Sequence, residues 1–200
     1  MSMSRHRAAA IAYLEESRDV LQRAIDDPTF LDALTRAADR VAKALASGGK
    51  LLALGNGGSA ADAQHIAGEL LSRLNYDRAP AAALALTTDT SVLTAIGNDY
   101  GYEAVFARQV RALGRAGDVL LALSTSGRSP SVLRAMEVAR DGGLVVLAFT
   151  GRCGGAMPER ADLVLHAPSD RTPLIQQVHI AAAHILCGLV EERLFPRPEV

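Results

Sequence analysis

Five short apolar runs, each followed by a segment with helical spacing, constrain the architecture of this 200-residue chain more than any other feature. The runs are Lys50–Leu54, Ala81–Leu86, Val119–Leu123, Leu144–Phe149 and Asp162–His166, with helical patterns at 59–74, 90–96, 103–113, 130–140 and 173–194. Strands that are apolar along their whole length must be covered on both faces, and strict alternation with helices implies parallel neighbours joined by crossovers. The prediction is a three-layer α/β fold with a five-stranded, mostly parallel sheet and helices on both faces. Two helices without strand partners precede it. Ile11, Leu14, Leu21 and Ile25 form one apolar stripe, and Asp27-Pro28 interrupts the pattern. Leu31, Leu34, Ala38, Val41 and Leu45 form a second stripe, which Gly48-Gly49 ends. Such stripes need a surface to pack on, in the same or another subunit. A single domain over 1–200 is expected, with a helical oligomerisation segment at about 1–47 and the α/β core at 48–196.

Composition narrows the partners. Twenty-one basic and 22 acidic residues leave a formal charge of −1, with no long run of either sign, so neither a nucleic-acid footprint nor a membrane-surface patch is suggested. No run approaches the ~20 apolar residues of a membrane span. Arg5, His6 and Arg7 precede a short apolar stretch, but Glu15, Glu16, Arg18 and Asp19 follow at once, unlike a secretory leader. Cys153 and Cys187 are far apart and form no Cys-x-x-Cys pair. A reduced, cytoplasmic protein is expected.

The third apolar run delivers Ser124-Thr-Ser-Gly-Arg-Ser129 onto a helix that Pro130-Ser131 opens. Ser124, Thr125, Ser126 and Ser129 supply hydroxyls, the turn supplies backbone N–H groups, and the positive end of the helix favours a dianion. Without Gly-Lys-Ser/Thr, a single phosphate ester is the natural guest rather than a nucleoside triphosphate.

The first run ends in Gly55-Asn-Gly-Gly-Ser-Ala60, which formally matches a dinucleotide fingerprint. That reading needs an acidic residue about 20 positions on, and Asp89 lies well beyond that. The other functional reading is a tight turn that lets a sugar or its phosphate approach Gly57 and Gly58, with Asn56 and Ser59 as polar contacts; a purely structural turn explains the glycines but not Asn56. On the helix that follows, His65 and Glu69 share a face at i and i+4, as a metal pair, an acid and base, or a solvated surface pair would. Arg73, four residues on, extends the stripe with a cation. Gly97-Asn98-Asp99-Tyr100-Gly101 looks like a turn after a short helix, since Asn, Asp and Gly are turn formers. In the last, apolar helix, Gln176, His179 and His184 must find polar partners. Periodicity does not choose between the two histidines, which flank Gln176 at about 60° and 80° on the helical wheel.

These motifs, in this order, resemble the sugar-isomerase (SIS) domain family and, within it, the phosphoheptose isomerases. The resemblance runs from about residue 10 to the C-terminus. The serine turn is common to SIS domains; His65, Glu69 and His184 together narrow it. The resemblance implies a flavodoxin-like SIS fold and a homotetramer with active sites between subunits. It implies Ser124, Thr125, Ser126 and Ser129 around the phosphate of a phosphorylated seven-carbon sugar, and Asn56, Gly57, Gly58, Ser59, Asn98 and Asp99 along the sugar. Arg73 matches a basic position, and Gln176 contacts substrate. Glu69 and His184 move protons, and His65, Glu69, Gln176 and His184 bind Zn²⁺, which selects His184 over His179. The implied reaction takes D-sedoheptulose 7-phosphate to D-glycero-D-manno-heptose 7-phosphate through an enediol, an early step toward the heptose of bacterial surface polysaccharides. Close SIS relatives instead bind the replication initiator; they lack the carboxylate and second histidine that this chain keeps. Other phosphosugar isomerases or sensors are the remaining alternative.

Overall fold

In a computed structural model, which describes residues 2–197, the sheet has the order β2-β1-β3-β4-β5 and every neighbouring pair is parallel. The strands are β1 (Leu51–Gly55), β2 (Ala83–Ala85), β3 (Val119–Ser124), β4 (Val145–Thr150) and β5 (Leu163–His166). The helices are α1 (Ser2–Ile25), α2 (Pro28–Ala46), α3 (Gly58–Leu71), α4 (Thr90–Tyr100), α5 (Val105–Leu113), α6 (Pro130–Asp141) and α7 (Thr172–Leu194). The expected five strands and two leading helices are present, and the sheet is wholly rather than mostly parallel. The second strand shrinks to three residues because only Leu51–Ala53 pair with it at the sheet edge.

Alternation within the strands divides the core. Leu51, Ala53, Val119, Leu121, Leu123, Leu147 and Phe149 face α1, α2, α3 and α7, whereas Leu52, Leu54, Leu120, Ala122, Val146 and Ala148 face α5 and α6. Both layers are built from aliphatic side chains, as two-sided parallel strands require.

Three local expectations change. The helix expected over 59–74 stops at Leu71, because the Arg78 guanidinium takes the carbonyls of Glu69, Leu70 and Ser72. Arg73 therefore lies beyond α3 and does not extend the His65–Glu69 stripe. Residues 97–100 are not a turn: α4 is N-capped by Asp89, whose side chain accepts from Val92 N, and it runs through Asn98 and Asp99 to Tyr100 before Gly101 (φ 81°) breaks it. Finally, α7 is long and apolar enough by length and composition to cross a bilayer. Here its apolar side is spent on the core, with Leu174, Ile175, Val178, Ala182, Leu186 and Val190 all buried.

The stripes of the two leading helices differ in fate. Leu34, Ala38 and Val41 of α2 are buried against the body of the domain, while Ile11, Leu14, Leu21 and Ile25 of α1 remain exposed, Leu14 at 67%.

Candidate active site

In the order 2-1-3-4-5, crossovers leave β1 and β3 toward opposite sides, so the crevice between their carboxyl ends is the topological switch point where ligands of open α/β sheets bind. The two glycine- and serine-rich turns of the sequence both open onto it. After β1 the chain passes Asn56 and turns at Gly57 (φ 58°), where a side chain would be strained, and enters α3. After β3 it makes the serine turn and enters α6. Neither α3 nor α6 has a side-chain N-cap or an acidic residue in its first turn, so both N-termini keep their positive character toward the crevice.

Asn56 ties the turns together. Its amide donates to Ser129 Oγ at 2.9 Å and to Ser131 Oγ at 3.0 Å, and its Oδ1 accepts from the Tyr102 hydroxyl at 2.8 Å. The Ser129 hydroxyl is thus held by Asn56 and Ser131 instead of capping α6. Ser124 is buried at the end of β3 beside Thr150, Thr125 is half-buried, and Ser126 is exposed with its Oγ accepting from Arg128 N. Gly127 (φ 62°) packs so closely on Gly154 that no side chain fits there. Thr125 and Ser126 line a depression of about 170 Å³ with Gly151, Arg152 and Gly154. This cup is small enough for a phosphate and mixed in lining, with Arg128 and Arg152 beside Asp170 and Ile175.

The second constellation lies farther along α3. His65 Nε2 stands 2.9 Å from Glu69 Oε1 and 3.0 Å from His184 Nε2 of α7. One ligand atom from each residue falls within a 4.8 Å cluster. Two imidazole nitrogens and a carboxylate oxygen at such separations are the donor types and spacing that one small divalent cation takes. Gln176, two turns before His184 on α7, lays its amide against Gly58, where any β-carbon would collide with it. Gln176 thus meets the start of α3, between the serine turn and the histidines. Ser59 is buried in the first turn of α3. Asp62, one turn before His65, is partly buried; burial raises its pKa and the charge of His65 draws it back.

The structure separates the two histidines that periodicity left open. His179 is fully buried, its Nε2 sits 3.1 Å from the Thr150 carbonyl, and burial lowers its pKa to about 4, so it is a neutral core histidine. His184 is the one that meets His65. Cys187, one turn beyond, is a buried thiol whose pKa burial pushes up to about 12, with the Glu69 charge acting in the same direction.

Asn98 and Asp99 stand apart from this crevice in the contacts they make. Asn98 donates to Asp99 at 2.8 Å, and Asp99 lines a groove of about 840 Å³ between α4, α5 and the β2 edge. A second groove, of about 900 Å³, runs beside His184 along Leu74–Tyr76 and the end of α7. The first groove is apolar and shares no lining residue with the histidine cluster. Three residues around the site were not evident from the sequence. Tyr102 follows the Gly97–Gly101 motif, and only the fold brings its hydroxyl to Asn56. Arg78 and Glu191 form a buried ion pair behind Glu69, and nothing local marks either residue.

Comparison with known proteins adds an independent line. Residues 12–151 match the SIS domain family. The chain is 56% identical over 183 residues to the phosphoheptose isomerase of Bradyrhizobium sp. strain BTAi1, covering 92% of each protein. Among solved structures, it superposes on the phosphoheptose isomerase of Neisseria gonorrhoeae with a TM-score of 0.88 at 44% identity, covering 93% of this chain and 98% of that one. The Francisella tularensis phosphoheptose isomerase gives a TM-score of 0.89 at 37% identity, covering 94% and 98%.

Proposed function

The chain belongs to the SIS-domain family and, within it, to the phosphoheptose isomerases, and from that premise we propose how its residues perform the reaction. It is an isomerase acting on a phosphosugar, D-sedoheptulose 7-phosphate, which it converts to D-glycero-D-manno-heptose 7-phosphate. The observation that carries this reading is the placement of the hydroxyl-rich Ser124–Ser129 turn at the N-terminus of α6 and of a carboxylate with two imidazoles along α3 and α7. His65 lies about 10 Å along α3 from Gly58 at ~1.5 Å per residue, a distance comparable to the length of an extended seven-carbon phosphate ester.

In this account Ser124, Thr125, Ser126 and Ser129 hold the phosphate at the positive end of α6. Asn56, Gly57, Gly58 and Ser59 line the sugar chain at the other side of the crevice. Gln176, laid over Gly58, orients the hydroxyls next to the reacting carbons. Glu69 removes the proton from the carbon beside the carbonyl while His184 gives one to the carbonyl oxygen, forming the enediol; His184 then takes the proton of the neighbouring hydroxyl as Glu69 returns its proton to the former carbonyl carbon. A base and an acid on opposite sides of the same two carbons are what ketose–aldose exchange requires.

The donor set of His65, Glu69 and His184 suits Zn²⁺, which when bound would supply a Lewis acid for the carbonyl oxygen; Gln176, the fourth ligand the resemblance implies, has its amide at Gly58 rather than in this cluster. A carboxylate held by the cation would be a weaker base, so Glu69 would leave the metal when it abstracts the proton, or a second group would take over as base. Asn98, Asp99 and Arg73, which lie away from the crevice, complete the pocket in a homotetramer whose active sites sit between subunits. The exposed stripe of α1 is the surface on which that assembly forms. The enzyme works in the cytoplasm, and its product feeds the heptose of surface polysaccharides.

Purified protein incubated with D-sedoheptulose 7-phosphate, with and without added zinc, tests this reading. Formation of the aldose heptose supports it; no turnover in either condition, with tight binding to the replication initiator, overturns it.

A further inference from the structure

The side chains that place Glu69 relative to His184 lie outside the site itself. Arg78 follows α3 in the loop that returns to β2, and its side chain is only 3% exposed, against 0% for that of Glu191 on α7. The guanidinium makes five hydrogen bonds: Nε to Glu191 Oε1 at 3.1 Å, one terminal nitrogen to the carbonyls of Leu70 (2.6 Å), Ser72 (3.1 Å) and Ala79 (3.0 Å), and the other to the carbonyl of Glu69 at 2.8 Å. All three nitrogens of the fork are therefore engaged. Glu191 in turn accepts from the amides of Leu74 at 3.0 Å and Asn75 at 2.9 Å. Burial opposes its charge, but these amides and the guanidinium outweigh burial and hold its pKa below the usual carboxylate range.

This clasp does two things at once. It satisfies the carbonyls that the C-terminus of α3 leaves free, with a cation at the negative end of the helix. It also anchors that terminus to α7. Glu191 follows His184 by seven residues, nearly two full turns, so the two side chains lie on the same face of α7 within about 20°. One end of that face meets His65, and the other meets the clasp behind Glu69. We propose that Arg78 and Glu191 are positioning residues: their buried pair sets the separation of α3 and α7 at which the Glu69 carboxylate and the His184 imidazole share one metal and one substrate. The inference rests on the zinc and proton-transfer reading above. A lone ion pair that leaves either partner buried without the other is strongly unfavourable, so the geometry is held stiffly. Lysine in place of Arg78 keeps the charge but not the planar fork, and so loses the simultaneous grip on Glu69, Leu70 and Glu191.

The test compares R78K, E191Q and the milder E191D with wild type and with D118N, which disturbs the buried Lys50–Asp118 pair at the opposite end of the strands. Three quantities are read: zinc affinity by competition with a chelating dye, kcat and KM for the heptulose phosphate, and the thermal midpoint. The expected result is a loss of zinc affinity of at least ~10-fold in the clasp variants, the scale seen when outer partners of metal ligands are removed. Their kcat falls in parallel, while KM changes little because the serine turn is untouched. D118N lowers the midpoint but leaves zinc affinity at the wild-type level. Folded clasp variants with wild-type zinc affinity and kcat overturn the proposal, as does a loss of zinc affinity in D118N equal to theirs. If R78K and E191Q do not fold, E191D alone decides on the same criteria. Wild type that neither binds zinc nor turns over counts against the site reading; wild type that does both, matched by its clasp variants, counts only against the clasp.

Discussion

The Nε2 atoms of His65 and His184 face one another at 3.0 Å although 119 residues separate them in the chain. Two unprotonated imidazole nitrogens repel at that distance, so one carries a proton or a cation lies between them. Glu69 Oε1, 2.9 Å from the same His65 nitrogen, adds the negative charge that such a cation needs.

Removing the carboxylate tests its part in proton transfer. E69Q keeps the shape of the side chain and one oxygen, yet cannot accept the substrate proton, and turnover is expected to fall by about 10²–10⁴-fold. Steady-state kinetics with zinc content measured in the same sample checks this; near-normal turnover with zinc still bound removes Glu69 from the role of base.

Asn56 is the joint between the two turns, through Ser129, Ser131 and Tyr102. N56A frees the Ser129 hydroxyl to rotate and, on the proposed reading, loses a contact to the sugar, at an expected cost of roughly 1–2 kcal/mol in substrate binding. The expected result is a KM raised by about tenfold with the thermal midpoint nearly unchanged. Y102F removes only the outer bond and shifts KM in the same direction by less.

His179 makes the fold sensitive to acid. Its folded pKa, about 4, lies below the 6.5 of the unfolded chain. Between these values the unfolded state binds more protons, so this contribution to stability is fully present above pH 6.5 and is lost as the pH falls toward about 4. That interval amounts to about 3 kcal/mol. Denaturant unfolding at pH 7, 6, 5 and 4 is expected to show a steeper fall for wild type than for H179Q; parallel curves contradict the assignment.

Assembly is tested on α1. Leu14 is 67% exposed and Ile25 60% exposed on a stripe with no cover within the subunit. L14E places a charge in that stripe without touching the crevice. Sedimentation of wild type is expected to give a tetramer and that of L14E a smaller species with reduced turnover; a monomeric wild type with full activity argues against sites shared between subunits.

How far the sequence carried depends on whether a feature is local. The strand runs and the stripe of α2 were legible because burial on two faces or on one leaves a periodic signature in the residues themselves. The serine turn and the glycine turn were legible for the same reason: hydroxyls, glycines and a following helix start are contiguous. The end of α3 was not, because Ser72 and Arg73 could continue a helix, and what stops it is the side chain of Arg78 folding back onto the last carbonyls. The helical state of Asn98 and Asp99 was hidden by their turn-forming chemistry, which Asp89 capping and the run of α4 overrode. Periodicity left His179 and His184 unranked; the family resemblance chose His184, and the packing of α7 brings that residue to His65 while burying His179. Tyr102 and the Arg78–Glu191 pair left no local signal, since each acts across a distance in sequence that only the parallel crossovers close.

The most direct measurement is turnover itself. Wild type, E69Q and H184Q are incubated with D-sedoheptulose 7-phosphate and zinc, and the aldose heptose is followed by chromatography. The account predicts product from wild type, and a severe loss in both variants although each still binds the phosphate ester. Wild-type rates in E69Q and H184Q, or no heptose from wild type with or without zinc, contradict it.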